Sequence, residues 1–178
     1  MHSPFIGAYW QSRRESVEQC AQRIGDLLSR IKIHPGFEEW FTKGSSPTAA
    51  RRSPVPTAAK EIQSLLKANN RDTDGAPFPE LGFDLDLWNG SSVSLSISCG
   101  ADFPGIWNSV VIDFANMSEP TEADLERLRS LLEAIVQAWE PDEAVVASSD
   151  TSSEGGEAAP IHEKGWFSYS KSGGLIKN

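Results

Sequence analysis

The sequence predicts an α+β fold, in which an antiparallel sheet of about four to six strands carries two long amphipathic helices on one of its faces. Segments in which polar and apolar residues alternate, as they do in half-buried strands, lie in the middle of the 178-residue chain. Two long segments with apolar residues at helical spacing lie before and after them. Because strands and helices are segregated rather than strictly alternating, the pattern favours an antiparallel sheet.

The length favours a single domain over residues 1–178, because two domains would each be small and poorly stabilised. Segments rich in serine, proline and glycine predict flexible loops at about 43–56 and 149–160. No apolar run approaches the ~20 residues that a membrane helix needs, and the first residues lack the pattern of a secretory signal. We therefore expect a cytoplasmic protein.

The first long helix is expected after a short strand at residues 5–10. Ser12 and Glu15 have the spacing of a capping box, which predicts that the helix begins beside them. Pro35 is expected to end it. The apolar stripe of this helix spans four turns and consists of Val17, Cys20, Ala21, Ile24, Leu27, Leu28 and Ile31.

A short helical turn is predicted for residues 36–42, where it would present Phe37, Trp40 and Phe41. The next segment, 43–56, is the first of the two predicted loops. Thr57 follows it and is expected to cap a third helix that ends near residue 70. The apolar residues of that helix are Ile62, Leu65 and Leu66.

Two strands in the middle of the chain are the clearest feature of the sequence. In the first, Phe83, Leu85 and Leu87 alternate with Asp84, Asp86 and Trp88, and in the second, Val93, Leu95, Ile97 and Cys99 alternate with serines. A two-residue turn at Asn89-Gly90 would place the apolar residues of one strand beside the serines of the other. We therefore predict a three-residue loop, Asn89 to Ser91, that pairs Leu87 with Val93 and holds Gly90 or a neighbour in a left-handed conformation.

The rest of the chain predicts further strands around one long helix. A strand at 109–114 would turn Asp113 outward. Thr121 and Asp124 have capping-box spacing and open a helix that Pro141 ends. Residues 143–148 are expected to form a hairpin-side or edge strand, and residues 165–170 a closing strand. The buried stripe of the helix is Leu125, Leu128, Leu132, Ile135, Val136 and Trp139.

Acidic residues on the exposed side of the strands are the candidate functional groups. Asp84, Asp86 and Asp113 could together hold a divalent metal for hydrolysis, although no lysine, histidine or glutamate nearby in sequence supplies a general base. The same carboxylates, with Trp88 as an anchor, could instead dock a basic protein. A merely solvated face would show the same alternation. The candidate partner-binding residues are Asp84, Asp86, Trp88, Trp107, Asp113, Asp142 and Glu143.

The net charge and the positions of the cysteines and histidines indicate which partners and cofactors the sequence disfavours. The net charge of −9 would repel nucleic acid and anionic membranes and would attract a basic partner. The three histidines do not lie at metal-ligand spacing, and Cys20 and Cys99 fall on apolar stripes, which predicts reduced, buried thiols. We therefore expect no cofactor, no bound metal and no catalytic residues.

Several short motifs resemble those of a bacterial family of polymorphic-toxin immunity proteins, immunity family fifty-two. The likeness covers about residues 5–170. The motifs are Ala8-Tyr9-Trp10, Arg14-Glu15-Ser16, Cys20-Ala21-x-Arg23, Pro35-x-Phe37-x-x-Trp40, Leu87-Trp88-Asn89-Gly90, Ser98-Cys99-Gly100 and Gly165-Trp166.

The resemblance implies that the protein inhibits a cognate toxin by binding it. It implies a toxin with a restriction-endonuclease-like fold, delivered by a contact-dependent system such as type VI secretion. The family supplies no catalytic or binding residues to transfer to this chain. An effector-loading adaptor or chaperone and a metal-dependent hydrolase remain the alternative functions.

Overall fold

The computed structural model describes residues 3–42, 46–70, 79–148 and 165–178. Within these residues the chain forms eight strands, four helices and one 3-10 turn at Pro79–Leu81. The strands are β1 (Pro4–Trp10), β2 (Phe41–Thr42), β3 (Phe83–Trp88), β4 (Val93–Cys99), β5 (Asn108–Phe114), β6 (Glu143–Ser148), β7 (Phe167–Ser170) and β8 (Gly174–Lys177). The helices are α1 (Val17–Ile31), α2 (Pro47–Ala50), α3 (Ala59–Asn69) and α4 (Glu122–Trp139).

All described strands form one antiparallel sheet in the order β2-β3-β4-β5-β1-β6-β7-β8. The predicted α+β class is therefore confirmed, but the sheet has more strands than the four to six expected. Strands β2 and β8, of two and four residues, are too short to show an alternating pattern. Of the two alternatives predicted for residues 143–148, the edge position is wrong, because β6 lies between β1 and β7, and the hairpin-side position fits its antiparallel pairing with β7.

Helices α1 and α4 cover one face of the sheet, called the inner face below. Their predicted apolar stripes are confirmed, since these residues are buried or packed against one continuous core. Trp10 of β1 stacks on Trp139 of α4 with 5.2 Å between ring centroids and 25° between ring planes. None of the helices in the described residues is long and apolar enough to span a lipid bilayer.

The start of α1 differs from the prediction. The capping box is formed by Ser16 and Gln19, whose side chains bond each other's backbone amides, and not by Ser12 and Glu15. Glu15 is instead buried, where its carboxylate lies 2.6 Å from Nε of Arg23. Ser12 with Glu15 and Ser16 with Gln19 both have capping-box spacing. Because Glu15 is buried against the guanidinium of Arg23, its side chain is not available to cap the helix.

Two other local predictions between α1 and α3 are wrong. Residues 36–42 do not form a helical turn, because Phe41 belongs to β2 and pairs with Trp88 of β3. Thr57 does not cap α3, whose N-cap is Ala58 and has no side-chain bond. The predicted loop at 43–56 contains α2, and the one at 149–160 lies outside the described residues.

The register of β3 and β4 is shifted by two residues from the prediction. Leu87 pairs with Leu95 rather than with Val93, and the loop between the strands is longer by the same amount. The side chain of Asn89 accepts hydrogen bonds from the amides of Ser91 and Val93, both at 3.0 Å, which stabilises the longer loop. A shift of two residues keeps every side chain on its predicted face. Gly90 is left-handed with φ of 80°, as expected.

A buried amide fixes the loop that joins β4 to β5. Asn108 is fully buried, and its side-chain oxygen accepts a bond from the amide of Ala101 at 2.8 Å. Its side-chain nitrogen lies 3.2 Å from the carbonyls of Gln11 and Ala101 and donates to both. The amide of Arg13 also donates to the carbonyl of Ala101 at 3.0 Å. The start of this loop is therefore held rigidly against the end of β1.

We expect Thr121→Ala to lower the free energy of unfolding by about 1 kcal/mol, because the N-cap of α4 loses its side-chain acceptor. Thr57→Ala is the matched control and should leave stability unchanged, since Thr57 caps nothing. Urea unfolding at neutral pH measures both. Equal losses in the two variants would contradict the assigned cap.

This capping contribution should also depend on pH. The pKa of Asp124 is held below its usual value because the hydroxyl and the backbone amide of Thr121 donate hydrogen bonds to its carboxylate. A lowered pKa means stabilisation that is present at neutral pH and is lost as pH falls through the folded-state pKa. The stability difference between the wild type and Thr121→Ala should shrink at acidic pH in the same urea experiment.

We expect Asn108→Ala to cost about 3 kcal/mol, because it leaves the amide of Ala101 without its partner and opens a cavity. The exposed Asn116 lies beyond the far end of β5, so Asn116→Ala is a matched control with little expected effect. Chemical denaturation of both variants measures the difference. Loss of less than 0.5 kcal/mol in Asn108→Ala, about the level of ordinary surface changes, would show that the amide does not fix the loop.

Candidate protein-binding surface

The side of the sheet opposite the helices, called the outer face below, brings together most of the predicted candidate residues. Strand pairing arranges its residues in rows that run from β3 across β4, β5 and β1 to β6. The rows are Asp84–Ser98–Ser109–Tyr9–Glu143, Asp86–Ser96–Val111–Gly7–Val145 and Trp88–Ser94–Asp113–Phe5–Ala147. The face is therefore polar over β3 and β4 and mostly apolar over β1 and β6.

Serines of β4 hold the carboxylates of β3. Ser96 donates a hydrogen bond of 2.6 Å to Asp86, and Ser98 donates one of 2.5 Å to Asp84. Both aspartates stay exposed to solvent. The backbone of Asp84 is covered at the sheet edge by the side chain of Asn70, which accepts from its amide at 2.8 Å and donates to its carbonyl at 3.2 Å. These contacts orient the two solvent-exposed carboxylates.

The apolar half of the outer face contains a small cluster of its own. It consists of Phe5, Val145 and Ala147 with Val111 packed beside them. Tyr9 lies over Gly7, where any Cβ would come within 2.4 Å of the tyrosine oxygen. Burial raises the pKa of the Tyr9 hydroxyl, and the neighbouring charge of Asp113 raises it further.

Trp88 is covered by other parts of this chain. The ring of Phe41 lies 6.4 Å away, and the guanidinium of Arg51 lies 5.7 Å from the ring centroid. Arg51 also donates a hydrogen bond of 2.7 Å to the carbonyl of Gly90. The indole nitrogen of Trp88 donates one of 2.8 Å to the carbonyl of Ser91. These contacts favour an intramolecular lid at Trp88 over a free anchor.

Trp107, Asp142 and Glu143 lie at one end of the sheet. Trp107 is half-buried directly before β5. Asp142 accepts a bond of 3.0 Å from the amide of Gln11, and its carbonyl accepts one from Lys171, so it ties neighbouring strand ends together. Glu143 pairs with Tyr9 on the outer face. Of these three, Asp142 has an evident structural role.

The side chains of the described residues form neither an evident metal site nor an evident catalytic group. No group of three or more histidine, cysteine, aspartate or glutamate side chains in the described part of the chain could hold a metal ion. Ser130 lies 3.4 Å from Nε2 of His34, but the charged neighbour of this histidine is Arg127. Burial and the charge of Arg127 both lower the pKa of His34. A catalytic histidine is ordinarily oriented by a carboxylate rather than by a guanidinium.

The two cysteines are free and buried, as predicted. Contact with the thiol of Cys20 and burial raise the pKa of Cys99 well above its usual value. A thiol that stays protonated is a poor nucleophile. The environment of Cys99 therefore does not favour a nucleophilic role for its thiol.

The sequence predictions did not include one charge pattern, which is a long stretch that contains acidic but no basic residues and that forms three adjacent strands. Every charged residue between Arg71 and Arg127 is acidic, and this stretch contains β3, β4 and β5. The residues are Asp72, Asp74, Glu80, Asp84, Asp86, Asp102, Asp113, Glu119, Glu122, Asp124 and Glu126. The stretch of sequence that contains β3, β4 and β5 is therefore uniformly acidic, a sign of charge that suits a basic partner.

Comparison with known proteins agrees with the resemblance of the motifs. A search of curated proteins gives no match. The model of the family described as Immunity protein 52 matches residues 3–174, which is nearly the whole chain. The protein therefore belongs to the Immunity protein 52 family.

Proposed function

We propose that this protein binds a cognate secreted toxin and neutralises it as a stoichiometric protein inhibitor. The membership of an immunity family carries this proposal, since an immunity protein implies a toxin to be resisted. We further propose that the toxin is a nuclease with a restriction-endonuclease-like fold, delivered by a contact-dependent system such as type VI secretion. Inhibition would take place in the cytoplasm of the producing cell.

The charge of the molecule supports a nuclease as the partner. A nuclease must attract a phosphate backbone, so the surface around its substrate groove is commonly basic. The carboxylates of Asp84 and Asp86 and the acidic stretch around them offer the complementary sign. A standard interface would bury roughly 1,600 Å² in total, enough to cover such a groove.

The alternative functions have less support. A metal-dependent hydrolase would need Asp84, Asp86 and Asp113 to converge, but Asp113 shares its row with Trp88, two strands away. Adjacent strands lie about 4.8 Å apart, so Asp113 and the β3 carboxylates are separated by the serines of β4. An effector-loading adaptor would bind the same toxin without blocking it, and an activity assay separates the two.

The direct test uses the cognate toxin, which is to be sought among the products of the genes that neighbour this one. We expect the two purified proteins to co-elute and the nuclease activity to fall to background at a one-to-one ratio. Because the proposed attraction is electrostatic, the association rate should decrease as salt is raised from 50 to 500 mM, measured by stopped-flow or biolayer interferometry. A toxin that binds but stays fully active would indicate an adaptor, and a toxin that does not bind would overturn the proposal.

Neutralising the two strand carboxylates separates inhibition from hydrolysis. The double variant Asp84→Asn with Asp86→Asn should keep its fold and should associate with the toxin more slowly at low salt. The isolated chain should turn over no phosphodiester or peptide substrate with Mg²⁺ or Mn²⁺. A metal-dependent activity that disappears in the double variant while the circular dichroism spectrum is unchanged would instead establish an enzyme.

A further inference from the structure

Two exposed apolar side chains lie at the same end of the sheet. Leu81 belongs to the 3-10 turn before β3, and Phe103 belongs to the loop between β4 and β5. The amide of Asp102 donates a hydrogen bond of 3.0 Å to the carbonyl of Glu80. Leu81 directly follows Glu80, and Phe103 directly follows Asp102. We call Leu81 and Phe103 the apolar tip. The fold places them in two separate segments of the chain whose backbones are joined by that bond.

The apolar tip exposes hydrophobic side chains to water, which is unfavourable in free energy for the isolated protein. Leu81 is 49% exposed and Phe103 is 53% exposed, and they are two of the four large hydrophobic side chains exposed among the described residues. The other two, Ile33 and Ile176, lie in other parts of the fold. Single exposed apolar residues are ordinary, whereas neighbouring ones more often mark a binding surface.

The backbone that carries the tip is rigid. The buried amide of Asn108 and the amide of Arg13 fix Ala101, two residues before Phe103. Gly82, directly after Leu81, has φ of 76° and packs so closely that a Cβ would fall 2.4 Å from the carbonyl of Cys99. The fold thus presents solvent with two apolar groups on preorganised backbone, which reduces the entropy lost on binding.

Carboxylates surround the tip. Glu80 and Asp102, which precede Leu81 and Phe103, are both exposed and acidic. In the adjoining segment after β1, Arg13 is engaged by Glu15 and by the carbonyls of Trp139 and Glu140, while Arg14 is exposed. An apolar centre with a mainly acidic rim fits a basic protein surface that contains an apolar pocket.

We infer that the apolar tip is the anchor of the toxin interface, with Phe103 inserted into an apolar pocket of the toxin and Glu80 facing its basic residues. This inference rests on the proposed function, because the toxin is the occupant it names. It places the energetic centre of the interface at the end of the sheet formed by the turns at residues 79–82 and 100–107. Trp88, at the far end of β3, would lie outside that centre.

The test measures binding of the toxin identified by the inhibition assay above, with its active site inactivated. Truncation of a buried anchor typically weakens binding about 30-fold, so Phe103→Ala should raise the Kd by about that factor and Leu81→Ala should raise it less. Ile33→Ala, at a side chain 76% exposed beyond α1, is the matched control and should leave the Kd unchanged. Glu80→Gln should lower the association rate at low salt and weaken its salt dependence.

The possible results separate this inference from the proposed function. All four substitutions are at exposed positions, so their thermal unfolding midpoints should match that of the wild type, which checks that the fold is intact. If the wild type binds and the double variant Leu81→Ala with Phe103→Ala binds equally well, the anchor is wrong while the inhibitor proposal stands. Equal weakening by Ile33→Ala would also overturn the anchor. If the wild type does not bind, both proposals fail.

Discussion

The covering of one face of the sheet by α1 and α4 is the constraint on which the rest of the structure depends. The apolar sides of β1, β3, β4 and β5 are buried against these helices and, at β3, also against α3, and the stacked rings of Trp10 and Trp139 lie within that core. Because side chains alternate along a strand, burying one set forces the other set outward. The row of strand carboxylates and serines on the outer face is a direct consequence of how the inner face is packed.

The groups that face solvent are held by a framework that is itself buried. Asn108 and Glu15 are the polar residues buried within the described chain, and both lie where β1 meets the segments that follow it. Asn108 fixes the loop ahead of β5, and Glu15 joins α1 to β1 through Arg23 and Arg13. Such buried polar contacts specify one geometry, since leaving either group unpaired would be costly. A framework of this kind is consistent with the proposed binding of a toxin at the exposed surface.

Some sequence predictions were wrong because the local sequence was compatible with more than one structure. Ser12 with Glu15 and Ser16 with Gln19 both have capping-box spacing, and only the burial of Glu15 beside Arg23 decides which pair caps α1. The β3–β4 loop was predicted too short because the bonds made by the side chain of Asn89 are not visible as a pattern. Only the face on which the candidate carboxylates lie could be predicted from the sequence. Asp84, Asp86 and Asp113 were placed on the correct face by parity, whereas Phe103 and Leu81 carry no periodic signal at all.

The sequence by itself determined the α+β class, the buried stripes of α1 and α4, and the side of the sheet on which each residue of β3, β4 and β5 lies. These features depend on periodicity, which is local and survives a register shift of two residues. The tertiary structure alone decided the strand order, the position of β6 inside the sheet, the covering of Trp88 by Arg51 and the backbone bond that joins the segments of Leu81 and Phe103. Each of these joins segments that are distant along the chain, and their proximity is set by the packing of the whole core rather than by any local pattern.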